Sequence, residues 1–290
     1  MARYVKTEKG YIDASIFAPA QFKPEGKSYL TFSSPKNFTL KVNNATKNWD
    51  GTLEFFDYDK TWTTWDGTTI LSAVADDGEY FLYLRGTENT FITRRGSSDK
   101  FVLTGSDISC IGNIENLLDY VSVESGEHPT MANKCYGSMF QGCTALTQAP
   151  ALPATTLSNS CYQYMFFGCT SLKLSSTNTG EYTVAYLILT TGAGSTVAND
   201  VQNMFASTGG TFTGTPAINT TYYLSTDNMI VRDTEVATLN GYVGSMIDAA
   251  IDEYADAAEY IIPSSTTGST KKFKITVDDS GALTATEITQ

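Results

Sequence analysis

The sequence predicts a mainly β protein: an N-terminal β-sandwich, a short solenoid, a short coiled-coil helix and a C-terminal β-hairpin. Three observations lead to this assignment. Short strand-prone runs separated by turns fill residues 28–106, a spacing typical of β-sandwiches. A pattern that repeats after 26 residues lies within 107–222, as in solenoids. Apolar residues at a 3-4 spacing follow in 223–262, and an alternating pattern follows in 263–290.

Composition and charge restrict the functional classes. The 290 residues are 41% hydrophobic and 17% charged, which is typical of a globular chain. A formal net charge of −12 argues against nucleic-acid binding, because phosphate contacts require clustered Lys and Arg. No run approaches the ~18 apolar residues of a membrane span, so no membrane insertion is expected. The N-terminus has no apolar signal core, so we expect a chain that is made in a cytoplasm and stays soluble.

Residues 1–27 precede the predicted sandwich and are basic, without clear periodicity. A flexible arm and a docking peptide fit this segment equally well. In 28–106, turn signals separate several strand-prone runs at intervals of roughly ten residues. These signals are Asp50-Gly51, Asp66-Gly67 and Asp77-Gly78. Trp49, Trp62 and Trp65 offer aromatic faces for sugar stacking, but core packing or ordinary strand exposure explains them better.

A sequence motif occurs twice in the middle of the chain, in CYGSMFQGCTALTQAPALPATTLSNSCYQYMFFGCTSLK. Residue pairs are identical at an offset of 26, and six of them define the repeat. They are Cys135 and Cys161, Met139 and Met165, Phe140 and Phe166, Gly142 and Gly168, Cys143 and Cys169, and Leu146 and Leu172. A degenerate third copy, DVQNMFAST, places Met204 39 residues after Met165, and a first turn is expected in Ser109–Leu118. Such a period predicts coils that bury their apolar residues against one another.

The repeated pattern resembles a known family. CYxxMFxGCTxLxxAPxLPATTL followed by CYxxMFxGCTSL is similar to the BspA-like leucine-rich repeats of bacterial and phage surface proteins. The resemblance implies a leucine-rich-repeat-like solenoid in 107–222 that adheres to proteins or glycans on cell surfaces, and it does not imply catalysis. Residues 152–156, LPATT, resemble a sortase signal but lack the final glycine and a following membrane segment. A turn between coils is therefore expected there.

All five cysteines lie in this region. They are Cys110, Cys135, Cys143, Cys161 and Cys169. A cysteine that recurs once per coil predicts a ladder of buried structural thiols. One or two disulfides, or a metal site, are less favoured, because the number is odd, Cys-x7-Cys is not a zinc spacing and His128 is alone. No metal and no cofactor are expected.

Residues suited to catalysis are few and scattered. His128 is the only histidine and stands in SGEHPT, a polar loop far from any nucleophile elbow. The Gly-Ala-Gly at 192–194 lacks the third glycine and the helix of a dinucleotide-binding motif. Asp57 and Asp59 are of the residue type that cleaves glycosides, but the sequence does not place two carboxylates across a cleft. The chain is therefore not expected to be an enzyme.

The segment DTEVATLNGYVGSMIDAAIDEYADAAEYIIP predicts a helix of about three heptads that is closed by Pro263. Three acidic residues, Asp248, Asp252 and Asp256, share one face, where a solvated surface is favoured over a cation site. The apolar stripe expected to make intersubunit contacts includes Val236, Leu239, Val243 and Met246.

The final segment, KKFKITVDDSGALTATEITQ, predicts a β-hairpin in which Phe273, Ile275 and Val277 alternate before the turn. A short helix and a lone hairpin are each marginal in water. We therefore expect a homotrimer, in which the helix stripes bury one another and the apolar hairpin faces pack together.

The order of helix, proline, Ser/Thr/Gly linker and KKFKITVDDSGALTATE is similar to the ends of head-fibre and tail-fibre proteins in phages of gut bacteria. This resemblance implies a virion fibre or decoration protein, assembled in the host cytoplasm with other virion proteins. Its repeats would bind host-surface or mucosal glycans or proteins through exposed side chains on the coils. Tyr136, Tyr162 and Tyr164 are the candidates for such exposed binding residues, and core packing explains each of them at least as well. The alternative is a bacterial cell-surface adhesin, which requires an export signal and an anchor that the sequence does not display.

Overall fold

The structure is a computed structural model, and it describes two kinds of segment. Side chains and backbone are described for 22–26, 28–94, 98–188 and 200–225, and backbone pairing alone for strands at 4–7, 10–13, 260–263, 272–277 and 283–288. The chain divides into two compact units, Met1–Ile230 and Val231–Gln290. Within the described residues there are nineteen strands and one helix, so the prediction of a mainly β protein is confirmed.

The elements are numbered in chain order. The first eleven strands are β1 (Tyr4–Thr7), β2 (Gly10–Asp13), β3 (Leu30–Ser34), β4 (Thr39–Val42), β5 (Thr52–Phe56), β6 (Trp62–Thr64), β7 (Leu71–Ser72), β8 (Val74–Asp76), β9 (Glu79–Thr87), β10 (Phe101–Thr104) and β11 (Ile108–Ile111). The later elements are α1 (Asn116–Glu124), β12 (Leu146–Gln148), β13 (Lys173–Ser175), β14 (Tyr182–Leu187), β15 (Gly209–Gly210), β16 (Thr221–Ser225), β17 (Tyr260–Pro263), β18 (Lys272–Val277) and β19 (Leu283–Ile288).

The strands of the first unit form four sheets. The largest has seven strands in the order β12-β11-β3-β9-β5-β6, with β8 also paired to β9. A three-stranded sheet has the order β10-β4-β7, a four-stranded sheet has the order β14-β16-β13-β15, and β1 pairs with β2. The pairings of β11 with β12 and of β13 with β15 are parallel.

Local sequence explains one tight turn and one close approach in this region. Asp77 and Gly78 both have positive φ, +48° and +86°, and they join β8 to β9, where Asp76 pairs with Glu79. An Asp-Gly pair suits such a turn because glycine has no Cβ to oppose the left-handed region. At Gly86 an added Cβ would lie 1.8 Å from the carbonyl oxygen of Leu117. Glycine at this position therefore lets the start of α1 lie directly on β9.

A single buried apolar cluster extends from Leu30 to Leu224. It takes side chains from both N-terminal sheets and from the repeated region. The predicted boundary between residues 106 and 107 falls just before β11, which pairs with β3 on one side and with β12 on the other. The hydrophobic core therefore continues across this boundary.

The three tryptophans do not form a common surface. Trp49 and Trp65 are buried in the core, with ring centroids 5.2 Å apart. Trp62 is half-buried and is covered by the guanidinium of Arg85, 4.2 Å from the ring centroid. The other ring within 4.2 Å of that guanidinium is Tyr120. Core packing is thus confirmed for Trp49 and Trp65, and a shared sugar-stacking platform is not formed.

The segment predicted as an N-terminal arm contains ordered pairing and packing. Strands β1 and β2 form a hairpin, with Tyr4 opposite Asp13 and Thr7 opposite Gly10. Phe22 is buried in a second apolar cluster. The other buried members of this cluster are Tyr29, Phe56, Phe81 and Tyr83. The end of the arm is therefore part of the folded body.

One backbone conformation recurs in 134–146, 160–172 and 200–212, which we call coils 1, 2 and 3. Positive φ returns at equivalent positions of the three coils. One set is Ser138, Tyr164 and Asn203, at +60°, +55° and +52°, and another is Gly142, Gly168 and Ser207, at +75°, +73° and +61°. Glycine adopts this conformation without steric cost, which explains the glycine of the recurring Gly-Cys-Thr triplet.

The coils stack through parallel backbone hydrogen bonds. The N–H of Phe140 in coil 1 donates to the carbonyl of Met165 in coil 2 at 2.9 Å, and the N–H of Phe166 donates to Met204 in coil 3 at 3.0 Å. Between these donors, N–H groups such as that of Met165 bond three residues back in their own coil, here to Tyr162 at 3.1 Å. The degenerate third copy therefore continues the stack in the same register.

The residues that precede the repeat supply the surface on which coil 1 stacks. The N–H of Phe101 donates to the carbonyl of Met139 at 2.8 Å, the relation that Phe140 has to Met165 one coil later. The N–H of Ile114 bonds the carbonyl of Ala151 at 3.1 Å, so the predicted first turn in Ser109–Leu118 also joins the stack. The short helix α1, which the sequence did not predict, begins two residues after Ile114.

The second unit contains a three-stranded sheet, ordered β17-β18-β19. The predicted hairpin is confirmed, because β18 pairs with β19 and Val277 lies opposite Leu283. One prediction is wrong: Tyr260–Pro263 is a strand that pairs with β18, with Ile262 opposite Phe273, and is not the end of a helix. A run of strand-favouring residues, Tyr-Ile-Ile, that ends at a proline suits an edge strand, because proline cannot donate a hydrogen bond to a neighbouring strand.

Several residues predicted to make trimer contacts lie outside the described part of the chain. Phe273, Ile275 and Val277 fall on β18, where only backbone pairing is described. The helix residues and the acidic face fall outside the described residues altogether. They are Val236, Leu239, Val243, Met246, Asp248, Asp252 and Asp256.

Candidate functional site

The three tyrosines predicted to bind a ligand are separated by the fold. Tyr136 and Tyr162 are 0% exposed, with rings stacked at 5.8 Å and 10°. The hydroxyl of Tyr136 donates to the carbonyl of Ile114 at 3.2 Å. Their prediction as exposed binding residues is therefore wrong, because they repeat with the coil interior. Tyr164 alone reaches the surface, where it is half-buried.

Tyr164 occupies a position that its backbone does not favour for a bulky residue. Its φ is +55°, and the equivalent residues are Ser138 in coil 1 and Asn203 in coil 3. Asn enters the left-handed region readily, whereas a large aromatic side chain there is uncommon. A tyrosine at this position is therefore not explained by the backbone, and strained residues of this kind cluster at functional sites.

The ring of Tyr164 forms a corner with a second half-buried ring. The centroids of Tyr164 and Phe167 are 5.8 Å apart and their planes meet at 72°. Gln163 precedes Tyr164 in the chain, and the Tyr164 N–H donates to the backbone carbonyl of Gln202 at 3.0 Å. The Gln163 side-chain amide donates to the amide oxygen of Gln202 at 2.5 Å, across coils 2 and 3. We call Gln163, Tyr164, Phe167 and Gln202 the coil-face patch. It combines an aromatic corner with a pair of side-chain amides.

Sequence reasoning missed three residues of this patch, although a signal was present. The aromatic side chains that are identical in coils 1 and 2, such as Tyr136 and Tyr162, are buried. Gln163 and Phe167, which replace Gly137 and Gln141 of coil 1, are half-buried at the surface of coil 2. In coil 2, departures from the repeat therefore mark the residues of the patch.

A groove on the N-terminal sheets has a volume of about 600 Å³. Its most exposed aromatic residue is Tyr58, at 80%. The carboxylate of Asp57 accepts hydrogen bonds from the hydroxyls of Thr61 and Thr63, and the Thr63 hydroxyl is the largest factor that lowers the Asp57 pKa. Asp57 is therefore engaged within its own turn, and nothing pairs it with Asp59 across the groove.

The second cavity, of about 450 Å³, contains the only histidine. His128 Nδ1 lies 2.9 Å from Oε2 of Glu115, whose side chain is 1% exposed. Burial raises the pKa of the Glu115 carboxyl, and the hydrogen bond and charge of His128 offset part of this rise. Ser158 lines the same cavity, but its hydroxyl donates to the carbonyl of Ala132 at 2.6 Å. The serine hydroxyl is thus engaged by the backbone.

The five cysteines are free and buried, so the predicted ladder of structural thiols is confirmed. Cys143 donates to the carbonyl of Phe101 at 3.3 Å, and Cys169 donates to that of Phe140 at 3.0 Å. These bonds are equivalent one coil apart. Burial raises the pKa of Cys143 to about 11 and that of Cys161 to about 12.

Neither a metal centre nor a membrane span is found in the described residues. No group of three or more His, Cys, Asp or Glu side chains among them is arranged to hold a metal ion. No helix in the described part of the chain has the length and apolar character to cross a bilayer.

Comparison of the chain with protein-family models, with curated proteins and with solved structures finds no match. Function is therefore inferred from the residues of the chain itself. Of the three surfaces described above, the coil-face patch combines two half-buried aromatic rings at the surface with side-chain amides that have further hydrogen-bonding capacity.

Proposed function

We propose that the chain is a structural protein of a phage virion, a head or tail fibre or decoration protein, with an adhesive repeat module. The module binds host-surface or mucosal glycans or proteins. The observation that carries the proposal is the contrast between recurring and non-recurring aromatic side chains of the coils. Tyr136 and Tyr162, which recur, are buried in the core, whereas Tyr164 and Phe167, which do not recur, are half-buried at the surface. Repeat scaffolds use such variable surfaces for binding.

The finer description of the fold belongs to the same proposal. Coils 1 to 3, stacked by parallel hydrogen bonds, form a short solenoid of the BspA-like leucine-rich repeat type. The seven-stranded and three-stranded sheets contribute to one core. Together they form the N-terminal sandwich, which caps the solenoid. Both elements face outwards from the particle.

The C-terminal region supplies assembly in this proposal. The segment KKFKITVDDSGALTATE, which is similar to the ends of phage head and tail fibres, contains β18 and all of β19 except Ile288. We propose that residues 227–290 hold a homotrimer, and that the protein joins other virion proteins without inserting into a membrane or binding nucleic acid. No catalytic role is assigned.

Fractionation of a lysing culture that carries the gene tests this function. Particles and bacterial envelopes are purified separately, and peptides of the chain are quantified by mass spectrometry in each. We expect the chain to be enriched in the particle band and to remain there after a second density gradient. A chain confined to envelopes would overturn the virion assignment in favour of a bacterial cell-surface adhesin with the same repeat module.

A further inference from the structure

We propose that the coil-face patch, Gln163, Tyr164, Phe167 and Gln202, binds the apolar face of a neutral pyranose sugar. This inference rests on the adhesive function proposed above and names both the site and the ligand class. It is carried by three observations: the left-handed tyrosine, the aromatic corner and the amide pair beside it.

The first step concerns the backbone at Tyr164. The stacked coils hold residues 138, 164 and 203 in the same left-handed conformation. Coils 1 and 3 use Ser138 and Asn203 there, so the conformation does not require an aromatic side chain. Tyr164 contacts Phe167 at the surface and has a half-buried ring. Its aromatic ring is thus available to a ligand without being needed by the core.

The second step concerns the shape and chemistry of the aromatic corner. The planes of Tyr164 and Phe167 meet at 72° with centroids 5.8 Å apart, so the edge of one ring packs against the face of the other. An aromatic face carries negative charge density, and the C–H groups on one side of a pyranose ring form an apolar, weakly positive face. Such a sugar can lie against one ring while its edge contacts the other.

The third step concerns the polar groups beside the corner. A glutamine amide has one carbonyl oxygen and two N–H donors, and the bond between Gln163 and Gln202 uses one donor and one acceptor. The remaining donors and the remaining carbonyl oxygen match neighbouring sugar hydroxyls, each of which both donates and accepts. The contact between the two amides holds these groups in place before a ligand arrives.

Charge selects a neutral sugar. None of the four patch residues is charged, and the whole chain has a formal net charge of −12. An acidic sugar such as a sialic or uronic acid would find no Arg or Lys in the patch and would be repelled by the net charge. A neutral hexose or N-acetylhexosamine meets neither obstacle.

The test uses the full-length chain and an array of neutral oligosaccharides that end in glucose, galactose, mannose, N-acetylglucosamine or N-acetylgalactosamine. The best-bound oligosaccharide is then titrated by calorimetry. Tyr164→Asn places at 164 the residue that coil 3 carries at the same backbone position. We expect this variant to unfold at the same or a higher temperature and to lose about tenfold or more in affinity, the equivalent of one lost aromatic contact.

Two further variants make the result specific. Phe167→Gln introduces the residue that coil 1 carries at the equivalent position, and it should also weaken binding at unchanged stability. Tyr58→Ser removes an exposed aromatic residue from the separate groove, and it should leave affinity unchanged. Unchanged affinity in a folded Tyr164→Asn protein would show that the coil-face patch is not the sugar-binding site.

The outcomes also separate this inference from the proposed function. Loss of binding in Tyr58→Ser, with binding retained in Tyr164→Asn, would place the sugar in the groove and leave adhesion standing. A wild-type chain that binds none of the neutral sugars would overturn the inference. The particle fractionation would still decide independently whether the chain belongs to a virion.

Discussion

The rings of Phe140 and Phe166 lie parallel, with 5.5 Å between their centroids and 4° between their planes. Phe205 continues the stack at 5.5 Å and 2° from Phe166. On the other side, Phe101 of β10 meets Phe140 edge-on at 6.2 Å. One column of buried rings therefore connects the N-terminal sheets to all three coils.

Phe140→Ala should destabilise the sheets and the coils together. Removal of a buried phenylalanine ring costs about 3–5 kcal/mol, and the loss falls in the middle of a continuous core. All three tryptophans lie before residue 66, so their fluorescence reports the sheets although the substitution is in coil 1. We expect the unfolding curves from fluorescence and circular dichroism to shift equally in denaturant.

Phe140→Leu is the matched control, since it keeps most of the buried apolar volume and should cost less. A tryptophan transition that is unchanged in Phe140→Ala, while the circular dichroism transition shifts, would show that the coils unfold as a separate unit.

A fragment of residues 107–225 should not fold on its own. It lacks Phe101 and Ile92, whose N–H groups bond the carbonyls of Met139 and Cys135 at 2.8 Å each. It therefore exposes one face of coil 1, and the remaining coils barely reach the ~3 repeats that such arrays need. A fragment of 22–225 retains these contacts and should melt cooperatively by circular dichroism. Cooperative melting of 107–225 would mean that the coils form an independent domain.

The five thiols should be unreactive in the folded chain. Thiolates are the reactive form, and burial raises the pKa of Cys143 to about 11 and of Cys161 to about 12. We expect a chromogenic disulfide reagent to label no cysteine at neutral pH before unfolding and all five after it. Reductant should leave the melting temperature unchanged. A fall of several degrees in reductant would reveal a stabilising disulfide.

Glu115 should make stability fall as pH rises through the acid range. Burial raises the pKa of its carboxyl above the ordinary value of 4.5. The folded state then binds more protons than the unfolded state between the two pKa values, so the free energy of unfolding declines as pH increases across that window. Glutamine does not titrate, so the Glu115→Gln variant lacks this pH-dependent loss of stability. Its stability relative to the wild type should increase with pH from 4.5 upward, measured by denaturant unfolding at several pH values.

Two variants control the Glu115 experiment. Glu127→Gln changes an exposed carboxylate on the same cavity and should show a nearly constant relative stability. His128→Ala removes the partner that opposes the raised pKa of Glu115, and it should steepen the loss of stability with rising pH. A relative stability of Glu115→Gln that stays flat or declines as pH rises would contradict the assignment.

The full-length chain should be a trimer in solution through residues 227–290. Three antiparallel strands, β17 to β19, offer more surface than the lone hairpin predicted from sequence, and two-sided coverage of a small sheet is best supplied by symmetric copies. Light scattering should give three times the chain mass, and a truncation ending at Asp227 should give one. A monomeric full-length chain would contradict this prediction. A truncated chain that is still a trimer would show that the intersubunit contact lies in the first unit.

Local sequence patterns were sufficient to predict the structure wherever the same structural requirement recurs along the chain. The 26-residue offset predicted the coils, because stacked interiors need equivalent apolar residues at equivalent places. Asp77-Gly78 predicted a tight turn, because few residues tolerate its positive φ. Cysteines that recurred with the interior positions were predicted to be buried and free, and they are.

Long-range pairing decided the remaining features. No local pattern reveals that Phe101 stacks on coil 1, since it lacks the motif that Phe140 carries, or that β11 joins both sides of a predicted boundary. Tyr260–Pro263 became a strand because β18 offered a pairing edge. Tyr136, Tyr162 and Tyr164 have the same side chain, and the packing of each coil against the next places the two recurring tyrosines in the core and leaves Tyr164 at the surface.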